Sequence, residues 1–471
     1  MSRIHWSSRV DADFNTAADW SAHTVPGAGD DAILDAPGVG RYTVTASTSE
    51  TVASIQTARA ATLSITGGVF TAGAGTGSGA NRGTILVGEN TTFAVGGTLR
   101  NKGAIDLNSR GDLTRLSLSA FTTLRGGGHV TLSDSSNNFI SGVKGSSAPF
   151  LINVDNTISG AGFLFGSMVN RAKGVIDATG TNNALVIDAS GGTVTSAGLI
   201  ESTGAGGLVV QLTTVANTGR IAITGAGGLS LNGATIDDTN GGTLDPGLNL
   251  TLGNSAIVGG SLTLSAGGVT TVTGAADLAT ALTNHGAIDI GADSSLTLHG
   301  AVTNTGSINL ANIANFADLV VGVGGLTLTG GGAVTLSENA RNLILGGAGD
   351  TLTNVDNTIS GAGFIGDEDG IGTFTLVNQA AGVIRAKGPV HLIIDTGANT
   401  IANAGVIEAS GRGGGLIFSA VNNTGKLKAA GGNLTITGAV TGDGSAIVNG
   451  ATLAFGSSFT ENVAFTGTSG V

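Results

Sequence analysis

The chain has 471 residues, of which 82 are glycine and only 4% are aromatic, and its 32 acidic and 20 basic side chains give a net charge of −12. This glycine content argues against a helical protein, and a mean hydropathy of +0.31 argues against a disordered one. The negative charge argues against a nucleic-acid partner, and the absence of cysteine excludes disulfides and thiolate metal sites.

The first 60 residues differ in composition from the rest of the chain. They contain both tryptophans, Trp6 and Trp20, the single tyrosine, Tyr42, and two of the five prolines. We interpret residues 1–60 as an N-terminal cap that covers the open strand edge of the first repeat. An aromatic platform for sugars is the alternative. The segment lacks the apolar region of a secretory signal peptide, and no apolar stretch of the chain reaches the roughly 18 residues of a membrane helix.

A short unit, Asn-x-Gly-x-Ile, recurs along the chain and marks a repeat. Variants of the unit place glycines at 174, 198 and 219 and again at 382, 405 and 425, which gives a repeat of about 20–24 residues. That is the length of one coil of a β-solenoid. The unit itself stands at 101–105, 217–221, 284–288, 304–308 and 403–407.

Short runs between these units alternate between apolar and hydroxyl side chains, as at 326–329 and 434–437. A period of two predicts strands with Leu or Ile inward and Thr or Ser outward. We expect the Asn-x-Gly units to form corners in which glycine adopts a positive φ. Asparagines stacked in successive coils, about 4.8 Å apart, would form a ladder of side-chain amides.

A longer repeat is superimposed on the short one. The eleven residues at 153–163, Asn-Val-Asp-Asn-Thr-Ile-Ser-Gly-Ala-Gly-Phe, recur letter for letter at 354–364. Residues 81–245 and 284–450 are therefore diverged copies of one block. We divide the chain into the cap at 1–60, a first solenoid block at 61–283 and a second at 284–471.

The corners, the repeated eleven residues and the opening Asp19-Trp20 and Val25–Leu34 segments together resemble secreted bacterial β-solenoid proteins of the filamentous-haemagglutinin-like and autotransporter-passenger classes. The resemblance implies an all-β fold, a right-handed parallel β-helix, exported to the bacterial cell surface or the medium. It also implies an adhesin, an extracellular matrix component or a stalk. Because the sequence ends at Val471 within strand-like residues, we expect the native chain to continue.

An acidic residue often follows the isoleucine of the corner. Carboxylates stacked on one face could bind calcium or perform acid and base chemistry on a glycan, as in pectin-lyase-like enzymes, and Glu201 and Glu408 are the catalytic candidates. In the second copy, however, the column reads Arg385, Glu408, Lys428, which favours a charge-balanced surface. The acidic positions are Asp106, Asp177, Glu201, Asp289 and Glu408.

Calcium is the one cofactor that the sequence offers. Residues 27–33 fit the core of a calcium-binding nonapeptide, with Asp30 and Asp31 as ligands, although such sites are built between stacked copies and a turn is the alternative. Residues 346–350 resemble the same pattern, and Asp367, Glu368 and Asp369 form an acidic insertion in the second copy. The six histidines do not stand at metal-ligand spacing.

Taken together, the sequence favours a non-enzymatic rod at the cell surface or outside the cell, an adhesin or matrix component that binds polysaccharides or surface glycans by many weak contacts and can self-associate. The alternatives are a carbohydrate-active enzyme that cleaves an extracellular polysaccharide, and a passive stalk for a domain beyond residue 471. The 4% aromatic content argues against the enzyme, because a glycan-cleaving groove is usually lined with aromatic side chains.

Overall fold

The computed structural model describes residues 2–119, 121–142, 150–311, 315–367 and 374–466. They form two compact units, Met1–Gly247 and Leu248–Val471. Both units are parallel β-solenoids, so the predicted all-β solenoid fold is confirmed. Among the described residues the one helical element is the short 3-10 helix Ala17–Asp19.

In the first unit each coil contributes strands to three faces, named here in the order in which the chain visits them after the Asn corner. Face 1 is an 11-stranded parallel sheet, and a separate 3-stranded sheet lies at the beginning of the chain. The strands of face 1 are Ala12–Asp13, Tyr42–Ala46, Ala61–Ile65, Thr84–Val87, Ala104–Leu107, His129–Leu132, Thr157–Gly160, Val175–Ala178, Leu199–Ser202, Arg220–Ile223 and Thr243–Asp245. Those of face 2 are Glu50–Val52, Val69–Ala72, Thr92–Val95, Thr114–Leu118, Asn138–Gly142, Gly162–Phe165, Leu185–Asp188, Leu208–Gln211 and Leu229–Asn232. Those of face 3 are Thr98–Arg100, Thr122–Arg125, Leu151–Asn153, Met168–Asn170, Thr193–Ser196, Thr214–Asn217 and Thr235–Asp237, and the 3-stranded sheet is Ser2–His5, Asp30–Leu34 and Ser54–Thr57.

The second unit has the same three faces, but in its first coils single long strands run through faces 2 and 3. These long strands are Ser255–Leu264, Ala275–Asn284, Ser294–Asn304 and Ala317–Thr329. Face 1 consists of Asn249–Gly253, Val269–Val272, Ala287–Ile290, Ser307–Leu310, Ala333–Leu336, Thr358–Gly361, Val383–Ala386, Val406–Ala409, Lys426–Ala430, Ser445–Asn449 and Asn462–Phe465. Face 2 continues as Asn342–Gly346, Gly363–Gly366, Leu392–Asp395, Gly415–Ile417, Leu434–Ile436 and Leu453–Phe455, and face 3 as Thr351–Asn354, Thr375–Asn378, Ile401–Asn403, Val421–Asn423 and Val440–Thr441.

The core of each unit is the space that its three faces enclose. In Leu434–Ile436, for example, Leu434 and Ile436 are buried and Thr435 points outward, as the alternating pattern predicts. No coil can bury its apolar side chains alone, so each depends on the coils that it stacks against.

The aromatic residues of the first 60 positions belong to the core. The rings of Trp6 and Trp20 meet edge to face at 4.9 Å, and the ring of Phe14 lies 5.0 Å from that of Trp20. Trp6, Trp20 and Tyr42 are each at most 2% exposed. Burial of these rings excludes the alternative of an aromatic sugar platform at this place.

A ladder of buried asparagine amides runs along the corners, as predicted. In the second unit Asn378 Nδ2 donates to Asn403 Oδ1 over 2.8 Å and Asn403 Nδ2 to Asn423 Oδ1 over 2.6 Å. In the first unit Asn81 Nδ2 donates to Asn101 Oδ1 over 2.7 Å. Each amide also donates to a backbone carbonyl of its own or the next corner, so the ladder satisfies polar groups that the stacked coils bury.

The two copies reproduce this network atom for atom within their own units. In the first unit Asn153 Nδ2 donates to Asn156 O over 2.9 Å and to Asn170 Oδ1 over 3.0 Å. In the second unit Asn354 Nδ2 donates to Asn357 O and to Asn378 Oδ1, both over 2.9 Å. The repeated eleven residues therefore encode the same corner twice.

The prediction that the corner glycine is needed for a positive φ is wrong. Gly219 and Gly405 are absent from the residues with positive φ, so left-handed backbone is not what selects glycine there. A Cβ at Gly405 would instead stand 2.2 Å from the carbonyl oxygen of Gly382 in the preceding coil, and one at Gly219 would stand 2.2 Å from that of Gly198. Glycine is required because stacked corners bring backbone against backbone.

We expect Asn378→Ala to lower the free energy of unfolding of the second unit by about 2–4 kcal/mol, because it leaves the buried Oδ1 of Asn403 without its donor. Chemical denaturation with hydrogen exchange at the neighbouring coils measures the effect. Asn422→Ala is the matched control, since Asn422 lies on the same face but is exposed. Equal losses in both variants would contradict a stabilising ladder.

Candidate functional site

In the first unit two of the candidate acids are neighbours on the outer side of face 1. Asp177 pairs in register with Glu201 of the next coil, and Thr203 Oγ1 donates to Asp177 Oδ1 over 2.9 Å. Burial raises the pKa of Glu201, and the negative charge of Asp177 adds to the rise while Arg220 opposes it. Burial also raises the pKa of Asp106, so Glu201 and Asp106 are the two carboxyls of this row with a raised pKa.

In the second unit the equivalent acid is neutralised by two cations. Glu408 Oε2 accepts from Arg385 Nε over 2.9 Å, and Glu408 Oε1 accepts from Lys428 Nζ over 3.0 Å. Its side chain is only 9% exposed. Burial alone would raise the pKa of Glu408, but the bonds from Lys428 and Arg385 outweigh it and lower the pKa. Each carboxylate oxygen therefore accepts from a cation, which keeps this acid ionised and unsuited to donate a proton.

The remaining acids of the row stand apart from these two. Asp106 lies opposite Thr131, and Ser159 separates Thr131 from Asp177. Asp289 accepts from Asn309 Nδ2 over 2.7 Å. The row thus brings together one pair of carboxylates, Asp177 with Glu201, in the first copy.

The carboxylates of the calcium candidate are occupied by donors of the protein. Asp30 Oδ2 accepts from Gly27 N over 3.0 Å, and Asp31 Oδ1 accepts from Ser54 Oγ over 2.6 Å. Asp350 Oδ2 accepts from Gly347 N over 3.1 Å in the same manner, although Gly349 has a positive φ and Gly29 does not.

No group of three or more His, Asp or Glu that could hold a metal ion occurs within the described residues. Of the acidic insertion, Asp367 is described, whereas Glu368 and Asp369 lie outside the described residues. Two histidines each meet a single carboxylate, His5 with Asp35 at 2.9 Å and His299 with Asp277 at 2.8 Å.

Apolar side chains that point outward from face 2 form a feature that the sequence analysis missed. In the first unit Phe139, Phe163, Val186 and Val209 lie in register on four successive coils, and we call this row ridge 1. In the second unit Leu343, Phe364, Ile393 and Leu416 do the same, and we call that row ridge 2. All eight side chains are partly exposed.

The two ridges occupy equivalent positions of the two copies. Phe163 and Phe364 are both the last residue of the repeated eleven, and each is the second member of its row. The rows differ at the register position on the coil before their first member. This position is Arg115 beside Phe139 in ridge 1 and Asp318 beside Leu343 in ridge 2. The duplication thus retained an outward apolar row and reversed the charge beside it.

A signal for the ridges does exist in the sequence. The strands that carry them read as continuous apolar runs, such as Leu-Val-Ile at 185–187 and Leu-Ile-Ile at 392–394, where alternation would place Thr or Ser in the middle. A run of this kind usually indicates a strand buried on both sides. Here one side is the core and the other is the surface.

Comparison with known proteins finds no family model that matches the chain and no matching curated relative. Within the described residues, no helix has the length and apolar character needed to cross a membrane. The site therefore has to be judged by its own chemistry.

The two equivalent acids predict opposite effects of pH on stability. Because the pKa of Glu408 is lowered in the fold, this residue stabilises the protein above the unfolded pKa and the contribution is lost as the pH falls through the folded value. Because the pKa of Glu201 is raised, its contribution is present at low pH and lost as the pH rises through the raised value.

We expect Glu408→Gln to lower the free energy of unfolding at pH 7 by about 1–2 kcal/mol, since it removes one partner of a buried ion pair. Glu201→Gln should raise it, because it removes repulsion from Asp177. Urea unfolding at pH 7 and again below pH 4 measures both, and each difference should shrink in acid. Effects of the same sign at pH 7 would contradict the assignment.

Proposed function

We propose that this protein is a non-enzymatic structural and binding solenoid, an adhesin or matrix component that acts at a bacterial cell surface or outside the cell. The observation that carries the proposal is the pair of ridges. An apolar row that faces solvent at the same place in both copies indicates a binding surface, because contiguous apolar patches on soluble proteins usually mark interaction sites.

The candidate acids support a binding role over a catalytic one. General acid and base chemistry on a glycan needs two carboxyl groups with separate protonation states placed across the scissile bond. The second copy has its equivalent acid held by Arg385 and Lys428. Both copies share the apolar row in the same setting, whereas their equivalent acids lie in different surroundings.

Binding by such a protein is multivalent. Stacked coils repeat outward Thr, Ser and Asn side chains in register, and many weak contacts with a polymer gain affinity from their effective concentration. Polysaccharides and surface glycans are polymers of hydroxyl groups that suit these side chains. We propose them as the ligands of the polar rows.

The pair Asp177 and Glu201 favours one second candidate, a carbohydrate-active enzyme confined to the first copy. The raised pKa of Glu201 beside an acidic neighbour is what a general acid requires. Polysaccharide cleavage that depends on Glu201 would establish this enzyme.

The test incubates the purified protein with a panel of microbial and plant polysaccharides, with calcium or with a chelator. Retention on the polymer and new reducing or unsaturated ends are measured in the same samples. We expect retention without new ends, equal for the parent and for Glu201→Gln. Glu408→Gln serves as the matched acid variant.

Each other outcome has a distinct meaning. New ends that Glu201→Gln abolishes would replace the proposal with the enzyme. Retention that the chelator abolishes would assign a calcium role to Asp30 and Asp31, and a double variant of these two should then lose retention. The absence of both retention and cleavage would favour a passive stalk.

A further inference from the structure

We propose that ridge 1 of one copy of this chain packs against ridge 2 of a second copy, with Arg115 of the first opposite Asp318 of the second. The inference rests on the proposed binding function and names the partner of the ridges. It follows from three properties of the two rows: the orientation of their rings, their common spacing, and the charges that precede them.

The rings of ridge 1 are oriented for a flat apolar partner and not for a sugar. The rings of Phe139 and Phe163 are stacked, with centroids 5.0 Å apart and planes 5° apart. Each ring therefore covers a face of the other, and ring edges are what point away from the sheet. A sugar packs its C–H groups on an open ring face, which this arrangement leaves only at the end of the stack.

Ridge 2 has the dimensions of a partner for ridge 1. Both rows take one side chain from each of four successive coils, and the coils of parallel sheets stack about 4.8 Å apart. The side chains of one row can then contact those of the other, coil by coil, along the whole row. Two sheets pack face to face in this way at a separation of about 10 Å.

Charge fixes which row meets which and in what direction. Arg115 is one coil before Phe139, and Asp318 is one coil before Leu343. When the two rows run parallel, the guanidinium and the carboxylate stand opposite each other. Ridge 1 against ridge 1 in the same direction would oppose two arginines.

The size of the contact predicts the type of assembly. A ridge of four coils is about 15 Å long, and on its own it buries less than the roughly 800 Å² per partner of a standard interface. A single contact is therefore weak. Each copy carries one ridge of each kind, so every ridge 1 can meet a ridge 2 of another copy.

The test exchanges the two charges on the full chain and measures association by sedimentation velocity over a concentration series. We expect the parent to associate as its concentration rises. Arg115→Asp and Asp318→Arg should each weaken association about tenfold, because each places like charges opposite each other. The double variant should recover it. An equimolar mixture of the two single variants should also recover it, because each supplies the complement of the other.

Two controls separate the ridges from general charge and folding effects. Arg125→Asp makes the same change of charge on face 3 of the first unit and should leave association unchanged. Phe163→Ser should weaken association, whereas Val169→Ser, an outward apolar residue on face 3, should not. Urea unfolding of every variant shows whether the solenoid is retained, and the recovering double variant cannot be explained by misfolding.

The outcomes distinguish this inference from the proposed function. A parent that stays monomeric yet is retained on polysaccharide would overturn the partner and leave the binding function in place. Failure of the mixture to associate, or an equal loss in Arg125→Asp, would overturn the pairing of ridge 1 with ridge 2. If the parent neither associates nor is retained on polysaccharide, both proposals are overturned.

Discussion

The fold depends on one contact, the stacking of each Asn-x-Gly corner on the corner before it. The corner glycine places its Cα against a backbone carbonyl of the preceding coil, so close that a Cβ at Gly425 would lie 2.1 Å from Gly405 O. The asparagine amide then satisfies the polar groups that this close approach buries. Because stacked corners meet in this geometry, the strands next to them pair in register, and their outward side chains form rows.

The amide ladder has a direction, and carboxylates receive its last donors. Between coils the Nδ2 groups donate forward, as from Asn378 to Asn403 and from Asn403 to Asn423, whereas the Oδ1 of Asn354 accepts from a backbone N–H of its own corner. The first unit begins its ladder with the hydroxyl of Thr57 and ends it at Asp238, which accepts from Asn217 Nδ2 over 2.7 Å. In the second unit Glu461 accepts from Asn423 Nδ2 over 2.8 Å. Burial raises the pKa of both Asp238 and Glu461, and the amide that donates to each carboxyl opposes that rise.

The sequence predicts the solenoid and the ladder because both follow from spacing alone. It does not predict the conformation at the corners, since a glycine needed for close approach and a glycine needed for positive φ are the same letter. The different fates of Glu201 and Glu408 were partly visible, because the column of Arg385, Glu408 and Lys428 can be aligned by the repeat. The degree of burial that makes those ion pairs matter is a property of packing. The ridges were not predicted, because the alternating pattern identifies a strand by the Thr or Ser that it places outward, and the strands of the ridges have an apolar residue at that position.

Comparison of the two copies distinguishes residues that the solenoid fold requires from residues that are free to change at its surface. The corners tolerate little change, and the two copies reproduce the distances of Asn153 and Asn354 to their partners within 0.1 Å. Outward positions are free of that constraint, and the acid row shows it, because Asp177 of the first copy corresponds to Arg385 of the second. An outward apolar row that persists in both copies under the same freedom is costly in water unless something covers it. Two such rows with opposite charges beside them, Arg115 and Asp318, are complementary in charge, and this complementarity is the basis of the pairing proposed for them.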